Sequence, residues 1–159
     1  MSYITVIKGD LLKSSEQYIA HQCNCVTRNG GSGLARAIFD TFPYADVYKN
    51  REEGTDKPGD IVIRGNGEEQ RYVIAMMSQV YPGGPNLYDI DSYANRKKYF
   101  QECLTKIAAI SDIKSVAFPY NIGCGLANGK WEDYYDMLNI FFEEANKKSH
   151  LDVIIYNNG

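Results

Sequence analysis

Apolar positions recur along the chain with two periods, and these periods predict alternating strands and helices. Short runs of apolar and β-branched residues are typical of strands, in which successive side chains point to opposite faces. Apolar positions four residues apart, as at Leu34, Ile38 and Phe42, are typical of helices buried along one side. The predicted strands span residues 3–8, 19–25, 60–64, 72–79, 114–119 and 151–156. The predicted helices span residues 34–42, 44–51, 92–111 and 130–147, the third with Asp91 as its N-cap.

The order of these elements predicts the fold class. Strands and helices alternate through the chain, with no repeat, linker or low-complexity segment between them. The strand at 72–79 is nearly all apolar, which is typical of a strand covered on both faces, and a glycine turn at 65–67 joins it to the strand before it. We therefore expect a single α/β domain over residues 1–159, with helices on both sides of a mixed sheet.

A glycine-rich turn follows the second predicted strand. We call residues 29–33 (NGGSG) the first glycine turn; it leads directly into the predicted helix at Leu34. Free backbone N–H groups and the positive end of the helix dipole meet at such a junction, so it favours an anion such as phosphate. A dinucleotide-binding fingerprint would need a third glycine where Arg36 stands, and that reading is disfavoured.

The second glycine turn, residues 123–130 (GCGLANGK), lies between a predicted strand and a predicted helix. It resembles a P-loop, but its glycine spacing is off by one and Trp131 stands where a magnesium-binding Ser or Thr belongs. Two such turns without the lysine-threonine pair of a P-loop predict that the protein binds a diphosphate and does not cleave a nucleoside triphosphate. The proline-rich loop, residues 81–91 (YPGGPNLYDID), leaves the end of a buried strand and is expected to cover the ligand.

Composition limits the partners. Apolar residues make up 44% and charged residues 23%, values ordinary for a globular protein, and the formal net charge is -3. A nucleic-acid or membrane-surface binder normally carries a basic face, so neither partner is expected. The N-terminal sequence lacks signal-peptide features, no apolar segment approaches the length of a membrane span, and the four cysteines form no C-x-x-C pair. We expect a cytoplasmic, monomeric protein with reduced thiols.

Cysteine and histidine side chains raise two further hypotheses. His21, Cys23 and Cys25 would share one face of a strand, which suggests a metal site completed by Cys124. This is the less favoured interpretation, because structural zinc sites usually draw on C-x-x-C turns, and we expect neither metal nor cofactor. Cys124 could also be a phosphatase nucleophile, but it lacks the following arginine that would clamp the phosphate. We favour a small side chain that permits close backbone approach.

Three motifs in order resemble one protein family. They are KGDL at residues 8–11, the pattern H-x-C-N-C-(x5)-G-x-G-x-A at residues 21–35, and IGCGL at residues 122–126 followed by Trp131. Together they resemble the macrodomains, most of all the small stand-alone branch that contains ADP-ribose 1''-phosphate phosphatases and the hydrolase that removes ADP-ribose from glutamate. The resemblance implies a three-layer α/β/α fold with a central mixed sheet.

The resemblance also implies a binding site. Asp10 would accept a hydrogen bond from the adenine amino group, whereas a helix-capping role is the ordinary alternative for such an aspartate. Asn24 would contact the distal ribose, and His21 and Asn24 would be the catalytic residues, His21 because its imidazole can move a proton near neutral pH. The implied ADP-ribose-binding residues are Asp10, Leu11, Asn24, Gly31, Ser32, Gly33, Leu34, Asn121, Ile122, Gly123, Cys124, Gly125 and Leu126.

The chain departs from the glutamate-deribosylating branch at two positions. That branch uses a lysine and an aspartate where this chain has Ser78 or Gln79, and Ala127. The expected activity is therefore hydrolysis of ADP-ribose 1''-phosphate, with an oriented diphosphate and a positioned water. The alternatives are a non-catalytic reader of free or protein-attached ADP-ribose, a hydrolase that frees ADP-ribose from protein or nucleic acid without the lysine, and an unrelated phosphosugar binder.

Overall fold

The computed structural model describes residues 4–86 and 90–158. Tyr3, at the start of the first predicted strand, lies outside the described residues, as do residues 87–89 of the proline-rich loop. The described residues form a six-stranded sheet with the order β1-β6-β5-β2-β4-β3. Its strands are β1 (Thr5–Lys8), β2 (Tyr18–Cys23), β3 (Ile61–Arg64), β4 (Tyr72–Met77), β5 (Ser115–Pro119) and β6 (Asp152–Asn157).

The pairing of the strands confirms the predicted mixed sheet. β3 runs antiparallel to β4, and all other neighbouring strands are parallel. The carboxyl ends of the parallel strands therefore meet at one edge, where ligands bind in open α/β sheets. The helices are α1 (Gly33–Thr41), α2 (Tyr93–Ala108) and α3 (Trp131–Lys148), with short 3-10 turns at Leu11–Lys13 and Pro43–Ala45.

Two apolar cores confirm the predicted three-layer α/β/α fold. Side chains alternate between the faces of each strand, so Ile19 and Ala20 of β2 point into different cores. One face packs against α1 through Ile38 and Phe39. The other face packs against α2 and α3, with members that include Phe100, Leu104, Ile107, Leu138 and Phe142.

Two local predictions are wrong. The helix predicted at 44–51 is only the 3-10 turn Pro43–Ala45, because the Asp46 carboxylate accepts the N–H groups of Tyr48 and Lys49 and replaces helical bonds. The N-cap of α2 is Ser92, whose hydroxyl accepts from the Asn95 N–H at 3.1 Å, and not Asp91. Within the described ranges, no helix is long and apolar enough to cross a membrane.

Candidate functional site

A cleft of about 350 Å³ lies at the carboxyl ends of β2, β4 and β5. Both glycine turns and the proline-rich loop contribute to its walls. Ten of the residues predicted to bind the ligand line it: Asn24, Gly31, Ser32, Gly33, Leu34, Asn121, Ile122, Gly123, Gly125 and Leu126. Asp10, Leu11, Cys124 and His21 are not among its lining residues.

The first glycine turn presents unpaired backbone N–H groups to the cleft. Ser32 is the N-cap of α1, but its side chain makes no capping hydrogen bond. The first N–H groups of a helix have no acceptor inside it, and those of Gly33, Leu34 and Ala35 have no partner among the described residues, so they can donate to a ligand. Each of these three residues lines the cleft. The positive end of the α1 dipole therefore faces the cleft.

The second glycine turn presents a matching set of donors. It is closed by the Gly129 N–H, which donates to the Gly123 carbonyl at 2.9 Å. The N–H groups of Gly125, Leu126 and Ala127 have no partner among the described residues, and all three residues line the cleft. The turn thus adds a second group of backbone donors on the opposite wall.

The two turns lie close enough to bind one ligand between them. A Cβ placed on Gly33 would lie 3.3 Å from Cδ1 of Leu126, so the walls are in near contact at this point. None of the described residues that line the cleft is Asp, Glu, Lys, Arg or His. An anion bound here would be held by backbone dipoles, because none of these described lining residues carries a charged side chain.

Asn24 lies at the end of β2 and lines the cleft. Its Oδ1 accepts from the N–H groups of Val26 and Thr27, at 3.0 and 2.8 Å, and its own backbone N–H donates to the Tyr48 hydroxyl at 2.8 Å. These bonds fix the side chain and leave its Nδ2 group without a partner among the described residues. Asn24 can therefore donate to a ligand hydroxyl.

The floor of the cleft holds a chain of neutral side chains. Gln22 donates from Nε2 to Oε1 of Gln79 at 2.6 Å, and the Ser78 hydroxyl donates to Oε1 of Gln22 at 2.8 Å. Gln79 in turn donates to the Tyr81 carbonyl at 2.7 Å. Gln79 lines the cleft whereas Ser78 is fully buried, so Gln79 occupies the accessible position after β4.

His21 lies in the core on the α1 side of the sheet. Its ring packs edge-on against Phe39, at 5.6 Å between centroids, and only 1% of the residue is exposed. Burial lowers the pKa of His21 to about 4, so the imidazole is neutral at pH 7. The geometry gives His21 a packing role and does not bring it to the cleft.

Asp10 and Leu11 lie beyond the cleft, after β1. The Asp10 carboxylate accepts from the Leu12 N–H at 3.0 Å and so caps the 3-10 turn, while Leu11 is buried in the α1-side core. This is the ordinary capping role described above. The adenine contact of Asp10 stays a prediction.

The cysteines are not arranged for catalysis or metal binding. Burial raises the pKa of Cys124 to about 11, and its thiol donates to the Ile122 carbonyl, so it is not an activated nucleophile. Burial also raises the pKa values of Cys23 and Cys25 to about 12. In the described part of the chain, no group of three or more His, Cys, Asp or Glu side chains could hold a metal ion.

Several lining residues were not predicted from the sequence. Gln22 could have been found, since a glutamine in an otherwise apolar strand is a signal of a polar environment. Tyr48 and Tyr120 carry no local signal, because aromatic residues are common in cores. The unpredicted lining residues are Gln22, Thr27, Gly30, Ala35, Tyr48, Tyr120 and, from segments singled out for other reasons, Gln79, Pro82, Gly83 and Ala127.

Comparisons with known proteins agree with this fold. No protein-family model matches the chain. O-acetyl-ADP-ribose deacetylase 1 of Pantoea vagans is 33% identical over 132 residues, which cover 79% of this chain and 72% of that protein. The macrodomain of Mycobacterium tuberculosis DarG superposes with a TM-score of 0.77 at 21% identity, covering 98% of both chains. A Trypanosoma brucei macrodomain in complex with ADP-ribose gives 0.67 at 16% identity, covering 98% of this chain and 64% of that one.

The structural neighbours share the fold that the three sequence motifs imply. The Pantoea vagans relative adds sequence identity that extends over most of both chains. Fold, motif order and sequence identity agree, and the chain belongs to the macrodomain family.

Proposed function

We propose that this protein binds ADP-ribose in the cleft and hydrolyses a small ester on its distal ribose, with ADP-ribose 1''-phosphate as the first candidate substrate. One observation carries the proposal: two glycine turns, with backbone N–H groups that have no partner among the described residues, line one cleft that has no charged side chain among its described lining residues. A diphosphate suits this arrangement, because it offers acceptor oxygens to both walls at once.

The remaining parts of the ligand follow from the floor and the ends of the cleft. With the diphosphate between the turns, Asn24 offers its Nδ2 donor, and Gln79 its side-chain amide, to the hydroxyls of the distal ribose. The adenosine extends towards the β1 side of the sheet, where Asp10 lies after the strand. This pose leaves the substituent on the distal ribose near the neutral floor.

Hydrolysis in this cleft depends on positioning. A water oxygen attacks the phosphorus, the bond from phosphorus to the ribose oxygen breaks, and a proton is transferred to that ribose oxygen, giving ADP-ribose and inorganic phosphate. The amide groups hold the diphosphate and the ribose so that the water approaches in line. His21 has no part in this step, since its side chain is buried outside the cleft.

An acyl ester is the second candidate substrate. The relative from Pantoea vagans is named an O-acetyl-ADP-ribose deacetylase, which supports an acetyl ester of ADP-ribose as a substrate. Both reactions would use the same diphosphate-binding site between the two glycine turns. They differ in the group that water attacks, a phosphate in one and an acetyl group in the other. A reader that binds ADP-ribose and catalyses nothing is the rival from another class.

Two measurements test the proposal. Calorimetry with ADP-ribose, AMP and ATP should give the tightest binding for ADP-ribose. Release of phosphate from ADP-ribose 1''-phosphate, and of acetate from O-acetyl-ADP-ribose, should exceed the release by a Gly33→Glu variant, whose carboxylate would repel the diphosphate. Binding of ADP-ribose without release of either product would favour the non-catalytic reader. If the protein shows no preference for ADP-ribose over AMP and ATP, ADP-ribose is not the ligand.

A further inference from the structure

Arg96 of α2 lies buried behind the cleft and reaches two of its walls. Its side chain is 1% exposed. Its guanidinium donates to the carbonyl oxygens of Gly83 at 2.7 Å, of Tyr81 and Gly84 at 3.1 Å each, and of Ala127 at 3.4 Å. The first three carbonyls belong to the proline-rich loop and the fourth to the second glycine turn. One side chain therefore bonds both segments.

A buried carboxylate completes this group. Asp91 accepts from Nη2 of Arg96 at 2.6 Å, and from the N–H groups of Val80 and Tyr81 at 2.7 and 2.9 Å. The Asp91 side chain is also only 1% exposed. The ion pair neutralises the arginine in the core and ties it to the start of the proline-rich loop.

Stability alone is a weak explanation for this pair. Removing two charges from water costs free energy that their attraction only partly returns, and apolar side chains can fill such a space at similar or greater stability. An apolar side chain could not donate to four carbonyl groups. The planar guanidinium can, through the N–H groups of Nη1 and Nη2, while its Nε has no partner among the described residues. A lysine ammonium offers only three donors from one point.

The bonded carbonyls lie next to the ligand-facing surface. Gly83 and Ala127 line the cleft, and the Ala127 N–H has no partner among the described residues. The Tyr81 carbonyl accepts from Gln79 of the floor as well as from Arg96. The guanidinium is thus connected to the covering loop, to one phosphate-facing wall and to the floor.

We propose that Arg96 is a positioning residue that holds residues 81–84 of the proline-rich loop and the second glycine turn as one unit, and so sets the width of the cleft. That the cleft takes ADP-ribose rests on the proposed function. The coupling of the two segments does not, because it is a property of the protein without ligand.

Hydrogen exchange of the unliganded protein tests the coupling. In an Arg96→Gln variant, the hydrogen-bonded amides of each segment should exchange roughly tenfold faster, since each segment loses bonds to a charged donor. These amides include Tyr81 and Asn86 in the loop and Cys124, Asn128 and Gly129 in the turn. A Lys106→Gln variant is the matched control. Lys106 lies on the same helix and also bonds a carbonyl and a carboxylate, those of Gly59 and Asp60, away from the cleft, so it should leave both segments unchanged.

An Arg96→Lys variant separates positioning from folding. It keeps the charge opposite Asp91, so its melting temperature should stay closer to that of the wild type than that of Arg96→Gln. Its affinity for ADP-ribose should still fall roughly tenfold, because the ammonium cannot bond both segments. The proposal is overturned if Arg96→Lys regains both the melting temperature and the ADP-ribose affinity that Arg96→Gln loses. It is also overturned if Arg96→Lys exchanges and binds like the wild type.

Three other outcomes of the exchange experiment also test whether Arg96 couples the two segments. Faster exchange in residues 81–86 alone would show that Arg96 anchors one segment, which overturns the coupling. Faster exchange in both segments, in a protein whose wild type does not bind ADP-ribose, would support the coupling while the proposed ligand fails. If Arg96→Gln does not fold, the exchange of Arg96→Lys carries the same test.

Discussion

The two glycine turns offer the same chemistry to the cleft, but the protein supports them differently. The second turn is packed from behind: a Cβ on Gly123 would lie 2.6 Å from the Tyr134 ring, and one on Gly129 would lie 2.4 Å from the Gly123 carbonyl oxygen. It is also bonded by Arg96 through Ala127, and the Lys130 N–H donates to the Tyr93 hydroxyl at 3.0 Å.

The first turn has fewer supports than the second. One packing contact lies within it, since a Cβ on Gly31 would be 3.2 Å from the Phe39 ring. A Cβ on Gly30 would have nothing within 4 Å, and residues 29–31 make no hydrogen bond with the described residues. Its approach from β2 is held by Asn24 and by Arg51, which donates to the Thr27 carbonyl at 3.1 Å. Its exit is the N-terminus of α1. Similar glycine motifs are thus supported to different degrees, with closer packing and more hydrogen bonds behind the second turn than behind the first.

The largest effect is expected from Gly123→Ala. Gly123 has a φ of +77°, and the added methyl group would overlap the buried ring of Tyr134, so the free energy of unfolding should fall by about 3 kcal/mol. Chemical denaturation measures it. Gly30→Ala in the first turn is the matched control, because Gly30 has a similar φ of +75° but a Cβ there has nothing within 4 Å, so its loss should be limited to a backbone cost of about 1 kcal/mol. Equal losses in the two variants would remove the packing difference between the turns.

The next largest effect is expected from Gly33→Glu, which tests the first turn. A carboxylate between the walls should weaken ADP-ribose binding roughly 100-fold, since like charges in a binding site cost several kcal/mol. Gly33→Gln is its matched control, because it shares the side-chain length and the backbone cost of a φ of +57° without the charge. Calorimetry should show a much smaller loss for Gln. Wild-type affinity in Gly33→Glu would exclude the first turn from the anion site.

The core beneath the first turn should make stability depend on pH through His21. Its folded pKa of about 4 lies below the ordinary 6.5, so the unfolded chain binds more protons between these values. Stability is therefore lost as the pH falls through 6.5 towards 4, by about 2 kcal/mol between pH 7 and pH 5. A His21→Gln variant should lose this part of the pH dependence in denaturation curves. The same slope with and without His21 would contradict its burial as a neutral ring.

The smallest effect is expected from Tyr48→Phe. This change removes the hydroxyl that accepts the buried Asn24 N–H and should lower the free energy of unfolding by about 1 kcal/mol. Tyr120→Phe is the control, since the Tyr120 hydroxyl has no partner among the described residues and its loss should change stability little. Comparable effects of the two changes would mean that the Asn24 bond adds nothing to the support of the first turn.

The strands, the mixed sheet and both glycine turns could be predicted from the sequence because each depends on local patterns. Apolar runs define the strands, and the glycine spacing at residues 29–33 and 123–130 marks the two turns. The family motifs added the order in which the turns occur. These signals reach over a few residues, which is the range that a sequence pattern can report.

What the sequence did not predict depends on which face or neighbour a side chain meets. His21 and Gln22 are adjacent in β2, yet one enters the core and the other lines the cleft. The contact of Asp91 with Arg96 instead of with the helix N-terminus is likewise set by packing, since Ser92 takes the capping position. Tertiary contacts decide such cases, and no local period reports them.

The most direct test of the central claim is a crystal structure with ADP-ribose bound. We predict that the oxygens of one diphosphate lie within hydrogen-bonding distance of the backbone N–H groups of Gly33 and Leu34 on one wall and of Gly125 and Leu126 on the other. A ligand bound elsewhere, or one that reaches only a single turn, would contradict the claim.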